Sequence, residues 1–135
     1  MTVPASMRTV FVTAVEDERD LAGAATMIDS LRTFGGPLAA NPVWVFETDG
    51  GAPCAVLRGS GTSVHAVDPS AGKPRYPAWA KTAACARAEE MAGALYRSLV
   101  WISPDCLVVG PPVLFDLDGA IRAALRPVAI AVARP

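Results

Sequence analysis

Arg97 to Leu117, RSLVWISPDCLVVGPPVLFDL, decides how the rest of the chain is read. Leu99, Val100, Trp101 and Ile102 form a short apolar run rich in β-forming residues. Ser103-Pro104-Asp105 interrupts it, and Cys106, Leu107, Val108 and Val109 resume it. The expected order is strand, polar elbow, strand. An apolar run without polar alternation predicts a strand buried on both faces, as in a parallel sheet. Polar residues just past the carboxyl end of such a strand sit where open α/β sheets bind ligands, which makes Asp105 the first candidate functional residue.

Outward from that stretch, strands and helices alternate. Thr9 to Val15 (TVFVTAV) reads as a buried strand, followed by the charged corner Glu16-Asp17-Glu18-Arg19-Asp20. Leu21, Ala24, Ala25, Ile28 and Leu31 then recur at helical spacing, with acidic residues at the amino end where the helix dipole favours them, and Gly35-Gly36-Pro37 ends the helix. Val43 to Glu47 (VWVFE) predicts a second strand, closed by the turn-prone Thr48-Asp49-Gly50-Gly51. Pro53 to Arg58 reads as a short helix, Ser63 to Val67 as a third strand, and Asp68 to Pro77 as an irregular loop carrying Lys73 and Arg75. Trp79 to Leu95 predicts a helix with a face of small residues, Ala80, Ala83, Ala84, Ala88 and Ala92, able to lie close against a sheet. Asp116 to Leu125 and Val128 to Val132 read as a last helix and a terminal strand. This alternation predicts an α/β three-layer sandwich around a mostly parallel, Rossmann-like sheet, with residues 1–135 as a single domain.

Composition narrows the function classes. The chain is 52% apolar with a formal net charge of -1, which argues against disorder and against a nucleic-acid partner. Cys54, Cys85 and Cys106 are odd in number and widely spaced, so neither a disulfide framework nor a zinc site is expected and the setting reads as reduced and cytoplasmic. No apolar run reaches the roughly 20 residues of a membrane span. There is no GxxxxGK[ST], no GxGxxG after a strand and no GxSxG. His65, the lone histidine, falls inside an apolar strand and reads as structural.

The apolar strand, short acidic elbow, second apolar run and following prolines are similar to the DxD region of nucleotide-sugar glycosyltransferases of the GT-A fold. In that family the pattern is apolar-apolar-Asp-x-Asp, and here it stands as Ile102-Ser103-Pro104-Asp105. The resemblance implies that Asp105, with Ser103 in the place of the first carboxylate, holds a divalent metal, Mn²⁺ or Mg²⁺, against the diphosphate of a nucleoside diphosphate sugar. It further implies that Thr13, Ala14 and Glu16, at the end of the first strand, lie near the base or ribose, and that Asp49 occupies a nucleotide-contacting loop position. Lys81, in Trp79-Ala80-Lys81-Thr82-Ala83-Ala84, resembles the family's lysine at the start of the helix before the elbow. Helix-start position is itself a reason for Lys81 to attract phosphate, because its ammonium adds to the field of free N–H groups there.

The expectation is therefore a glycosyltransferase-like domain that binds a nucleoside diphosphate sugar. With one carboxylate in the elbow, a proline stiffening it, and the family's acceptor-side half expected beyond a strand like Val128 to Val132, transfer is expected to need a partner chain, a second copy, or a longer protein. Two other readings stand beside it: a non-enzymatic binding or interaction module, and a receiver-like signalling domain with Glu16-Asp17-Glu18 as its acidic corner and Asp68 after its third strand.

Overall fold

A computed structural model describes residues 8–48, 53–59, 61–67 and 78–112. Its elements are β1 (Thr9–Val15), α1 (Glu18–Phe34), β2 (Val43–Glu47), β3 (Thr62–Ala66), α2 (Trp79–Ala92) and β4 (Ser98–Trp101), with short 3-10 turns at Gly36–Leu38 and Cys54–Leu57. The four strands make one parallel sheet in the order β3-β2-β1-β4. Phe11 stands level with Val43 on one side and Val100 on the other, and Val45 level with Val64. The expected Asp116–Leu125 helix, the Val128–Val132 strand and the Asp68–Pro77 loop lie outside the described residues.

β1 is the centre of this sheet because its sequence tolerates burial on both faces. All seven of its residues are buried. Phe11 and Val15 pack with Met27, Ile28 and Leu31 of α1, and the Cys54–Leu57 turn covers the same face beyond β2. Val10, Val12 and Ala14 pack on the opposite side with Trp44, Phe46 and the α2 alanines Ala84, Ala88 and Ala92. Helices on both faces of a parallel sheet give the three layers that the alternation of elements predicts. The edge strand β3 alternates instead, with Thr62 and Val64 buried and Ser63 and His65 half-buried.

Local chemistry starts and stops the helices. Asp17 caps α1, its Oδ1 accepting the Asp20 N–H at 2.8 Å, and Glu18 and Asp20 sit in the first turn where the dipole favours them. The left-handed residue after α1 is Gly36, at φ +56. α2 ends at Ala92, short of the expected Leu95, because Gly93 takes φ +49 and turns the chain, leaving Leu95 exposed. Its small-residue face does what its spacing implies: Ala80, Ala84, Ala88 and Ala92, four apart, are all buried.

One expected element is corrected. Cys106–Val109 is not a second strand but part of an extended strap running down α1. The Pro104 carbonyl lies over Gly23, the Val108 N–H donates to Ser30 Oγ at 2.9 Å, and Pro111 rests on Gly36. Along the strap only alternate residues turn inward: Val108 is buried, whereas Leu107 and Val109 are 58% and 81% exposed. An apolar run of this kind satisfies its period on a helix surface as readily as in a sheet. The Ser30 hydroxyl, which also donates to Met27 O at 2.7 Å, holds the strap's middle. Ser30→Ala leaves the buried Val108 N–H unbonded and is expected to cost about 1–2 kcal/mol, measurable by urea unfolding. An unchanged midpoint would show that the strap is not anchored there.

Candidate functional site

In the order β3-β2-β1-β4 the chain winds outward from β1 through β2 to β3, then crosses back to β4 on the other side of β1. The crossovers therefore leave β1 on one face and reach β4 on the other, which makes the carboxyl ends of these two strands a topological switch point. This switch point is where doubly wound sheets bind ligands. Four groups of residues from separate parts of the sequence meet at that end of the sheet.

The first group is the corner after β1. Glu16 is exposed, its N–H donates to Asp20 Oδ2 at 3.1 Å, and its carboxyl is pushed up by partial burial and by the charges of Asp20 and Asp17. Just inside, Thr13 is wholly buried on the α1 side of β1, and among the described residues its hydroxyl has no hydrogen-bond partner. Ala14 is buried on the α2 side. Both residues thus form the floor beneath the corner, and Glu16 is the one at its surface.

The second group is the elbow. The Ile102 N–H donates to Val12 O, carrying the β1–β4 ladder one step past the strand. Ser103 O then accepts the Cys106 N–H at 3.0 Å, closing a tight turn with Pro104 and Asp105 as its central residues. Proline suits the first of these, and its carbonyl is seated on α1 at Gly23. Pro104 is buried, Ser103 half-buried and Asp105 exposed, so the turn presents the Asp105 carboxylate to solvent.

The third group is the first turn of α2, which starts at the same end of the sheet. Ala78 stands at its cap position and supplies no side-chain cap. Lys81 is exposed, with Nζ 5.3 Å from the centroid of the Trp101 ring on the last residue of β4. The fourth group is the end of β2. The Thr48 N–H donates to Val15 O, and Glu47 hydrogen-bonds the buried Cys54 thiol, whose pKa burial and the Glu47 charge push up to about 11. Asp49, the next expected contact, lies outside the described residues.

Of the residues expected from sequence, Glu16, Ser103, Asp105 and Lys81 lie at this end of the sheet, the elbow seated on α1 and Lys81 on the α2 side, and Thr13 and Ala14 are buried within β1. Trp101 and Glu47 were not legible as site residues. In the sequence Glu47 looks like the last residue of a strand and Trp101 like an interior one, and only strand order sets them at the same end of the sheet as Glu16 and Asp105. The corner after β1 is rich in charge, with Glu16, Asp17, Glu18, Arg19 and Asp20 in sequence. Among the described residues no three His, Cys, Asp or Glu side chains converge to hold a metal ion.

His65 lies on the α2 side of the edge strand. It hydrogen-bonds Ser63 at 2.8 Å, packs against Trp44 and Phe46, and has its pKa lowered by burial and by Arg87 and Arg58. That is the structural setting its place in an apolar strand predicts. Cys54, Cys85 and Cys106 form no disulfide among the described residues. Among the described residues no helix is long and apolar enough to cross a membrane.

The described residues define a small α/β chain of Rossmann-like topology. No family model and no curated protein sequence matches it.

Proposed function

We propose that the carboxyl end of the sheet, between β1 and β4, binds a nucleoside diphosphate or its sugar, in the manner of a glycosyltransferase-like domain of the GT-A type. The observation that carries the reading is the elbow turn at the switch point, which presents Asp105 beside the corner of β1 while α2 brings Lys81 to the same end of the sheet. Lys81 and the uncapped first turn of α2 supply positive field for phosphate. On this reading Glu16, one residue past β1, contacts the ribose or base.

A divalent cation fits this arrangement only as a shared ligand. A hard cation takes six or more oxygens, and the elbow offers one carboxylate and one neutral hydroxyl, so the diphosphate and water would complete the set. When bound, such a cation stabilises charge on a departing diphosphate. Lys81 supports the same charge from the protein side. Weak cation binding favours ligand binding over efficient sugar transfer, and a partner chain or second copy remains the proposed route to transfer.

Strand order also separates this reading from the receiver-like one. A receiver sheet runs 2-1-3-4-5, with the third strand beside the first, whereas here β3 lies beside β2.

The test is a thermal-shift series with nucleoside diphosphates and their sugars, with Mn²⁺ or EDTA, since a specific ligand raises the melting temperature by mass action. Asp105→Ala is expected to keep the unliganded melting temperature, because the side chain is exposed, and to lose most of the Mn²⁺-dependent shift. No shift with any of these ligands at millimolar concentration would dismiss the proposal. A normal shift in Asp105→Ala would remove Asp105 from it.

A further inference from the structure

Lys81 sits at an end of the sheet supplied with carboxylates, yet its ammonium rests against an aromatic face. The ion pair found among the described residues is Arg87 with Glu90, on the exposed surface of α2. Lys81 instead has Nζ 5.3 Å from the Trp101 centroid. The two residues meet because β4 and α2 share a face: Leu99 and Trp101 alternate onto the α2 side of the sheet, and Lys81 is the third residue of the helix that lands there. Trp101 is half-buried, so one part of its ring packs while another meets the lysine.

A carboxylate partner would fix a lysine by neutralising it. An indole face fixes it through the ring quadrupole and leaves the full positive charge available. A free lysine also loses considerable rotamer freedom when it closes on a ligand, and a lysine already held on a ring has lost part of it beforehand. We infer that Trp101 is a positioning residue, holding the Lys81 ammonium, charged and partly ordered, at the β1–β4 switch point for the phosphates of a diphosphate ligand. This rests on the reading of the switch point as a diphosphate site. It adds that the strand residue two places before the elbow sets the affinity of that site through Lys81, without touching the ligand.

Two measurements test it, one without ligand. The chain has two lysines, Lys73 and Lys81, so its lysine Cε–Hε resonances are few and are assigned by Lys81→Met. A lysine held over an indole ring has its ε protons shielded. The upfield shift is expected in the native chain, reduced in Trp101→Phe and absent in Trp101→Leu. The second measurement is calorimetric titration with inorganic pyrophosphate and with nucleoside diphosphates in Mn²⁺. Lys81→Met is expected to weaken binding about tenfold, the order of one charge-assisted contact. Trp101→Leu should weaken it about three- to fivefold, Trp101→Phe by less, and Trp101→Leu should have no further effect once Lys81 is methionine.

Unshifted ε protons in the native chain would overturn the inference. So would a Trp101→Leu chain that binds normally while Lys81→Met binds weakly, and in that case the diphosphate reading of the switch point would still stand. A native chain that binds neither pyrophosphate nor any nucleoside diphosphate would remove that reading and the inference together. If Trp101→Leu fails to fold, Trp101→Phe carries the same comparison, its partial loss being expected only in the presence of Lys81.

Discussion

Gly23→Ala is expected to destabilise the chain by about 1–3 kcal/mol, the usual cost of forcing a methyl group into a close-packed contact. In an ordinary helix the sign is the reverse: a mid-helix glycine costs roughly 0.5–1 kcal/mol relative to alanine, so the substitution would stabilise. Here a Cβ would lie 2.4 Å from the Pro104 carbonyl oxygen and 3.1 Å from its carbon. Those are backbone atoms of the elbow, so relief requires moving the turn that carries Ser103 and Asp105. Urea unfolding should show the loss, and the proposed nucleoside diphosphate binding in Mn²⁺ should fall as well, since the turn is displaced in the folded fraction. Exposed Ala22, one residue earlier, provides the control: Ala22→Gly should cost only the ordinary helix penalty and leave binding intact. A Gly23→Ala chain more stable than the native one would mean that the elbow is not seated on α1.

Arg32→Met is expected to cost about 2–4 kcal/mol, because hydrogen bonds from a charged group contribute roughly 1.5–3 kcal/mol each and this guanidinium is partly solvated. Nη1 donates to Ala39 O and to Asn41 O, both at 2.7 Å, and Nη2 reaches Thr62 Oγ1 at 3.4 Å. One fork therefore ties the end of α1 to the turn before β2 and to the first residue of β3. Asn41 continues the tie, its Nδ2 donating to Thr9 O at the start of β1. Burial lowers the Arg32 pKa, a cost of holding the charge inside that these acceptors offset. Methionine keeps most of the apolar stem and leaves two carbonyls short of a donor. Lysine keeps the charge but has no planar fork, so Arg32→Lys should fall between the native chain and Arg32→Met. Unfolding midpoints of the three chains decide it, and a loss below about 1 kcal/mol in Arg32→Met would show that water replaces the fork.

Neither Gly23 nor Arg32 was identifiable as a decisive residue from the chain alone. A glycine in a helical stretch and an arginine in a last turn each have ordinary local explanations. Their weight comes from what lies across from them, Pro104 for one and three separate acceptors for the other. Trp101 and Glu47 escaped for the same reason. Cys106–Val109 was legible as apolar and extended but not as a strap, because the pattern does not say whether the neighbouring surface is a strand or a helix.

What the amino-acid sequence determined by itself is whatever depends on neighbours along the chain. Thr9–Val15 and Val43–Glu47 are readable to the residue because strands buried on both faces need uninterrupted apolar runs, and β3 is readable only to within a residue because an edge strand alternates. The acidic corner, the glycine stop and the alanine spacing likewise define α1 and α2 through caps and periodicity. The alternation of these elements implies a parallel three-layer sheet, and the carboxyl ends of its strands already single out Glu16 and Asp105. The tertiary structure alone decided which strands are neighbours, and hence that the carboxyl ends of β1 and β4 form the switch point of the sheet. It also decided that Lys81 meets Trp101 and that the elbow rests on Gly23. Those pairings join residues far apart in sequence, and their free energy arises only when the core brings two surfaces together, so no local pattern records them.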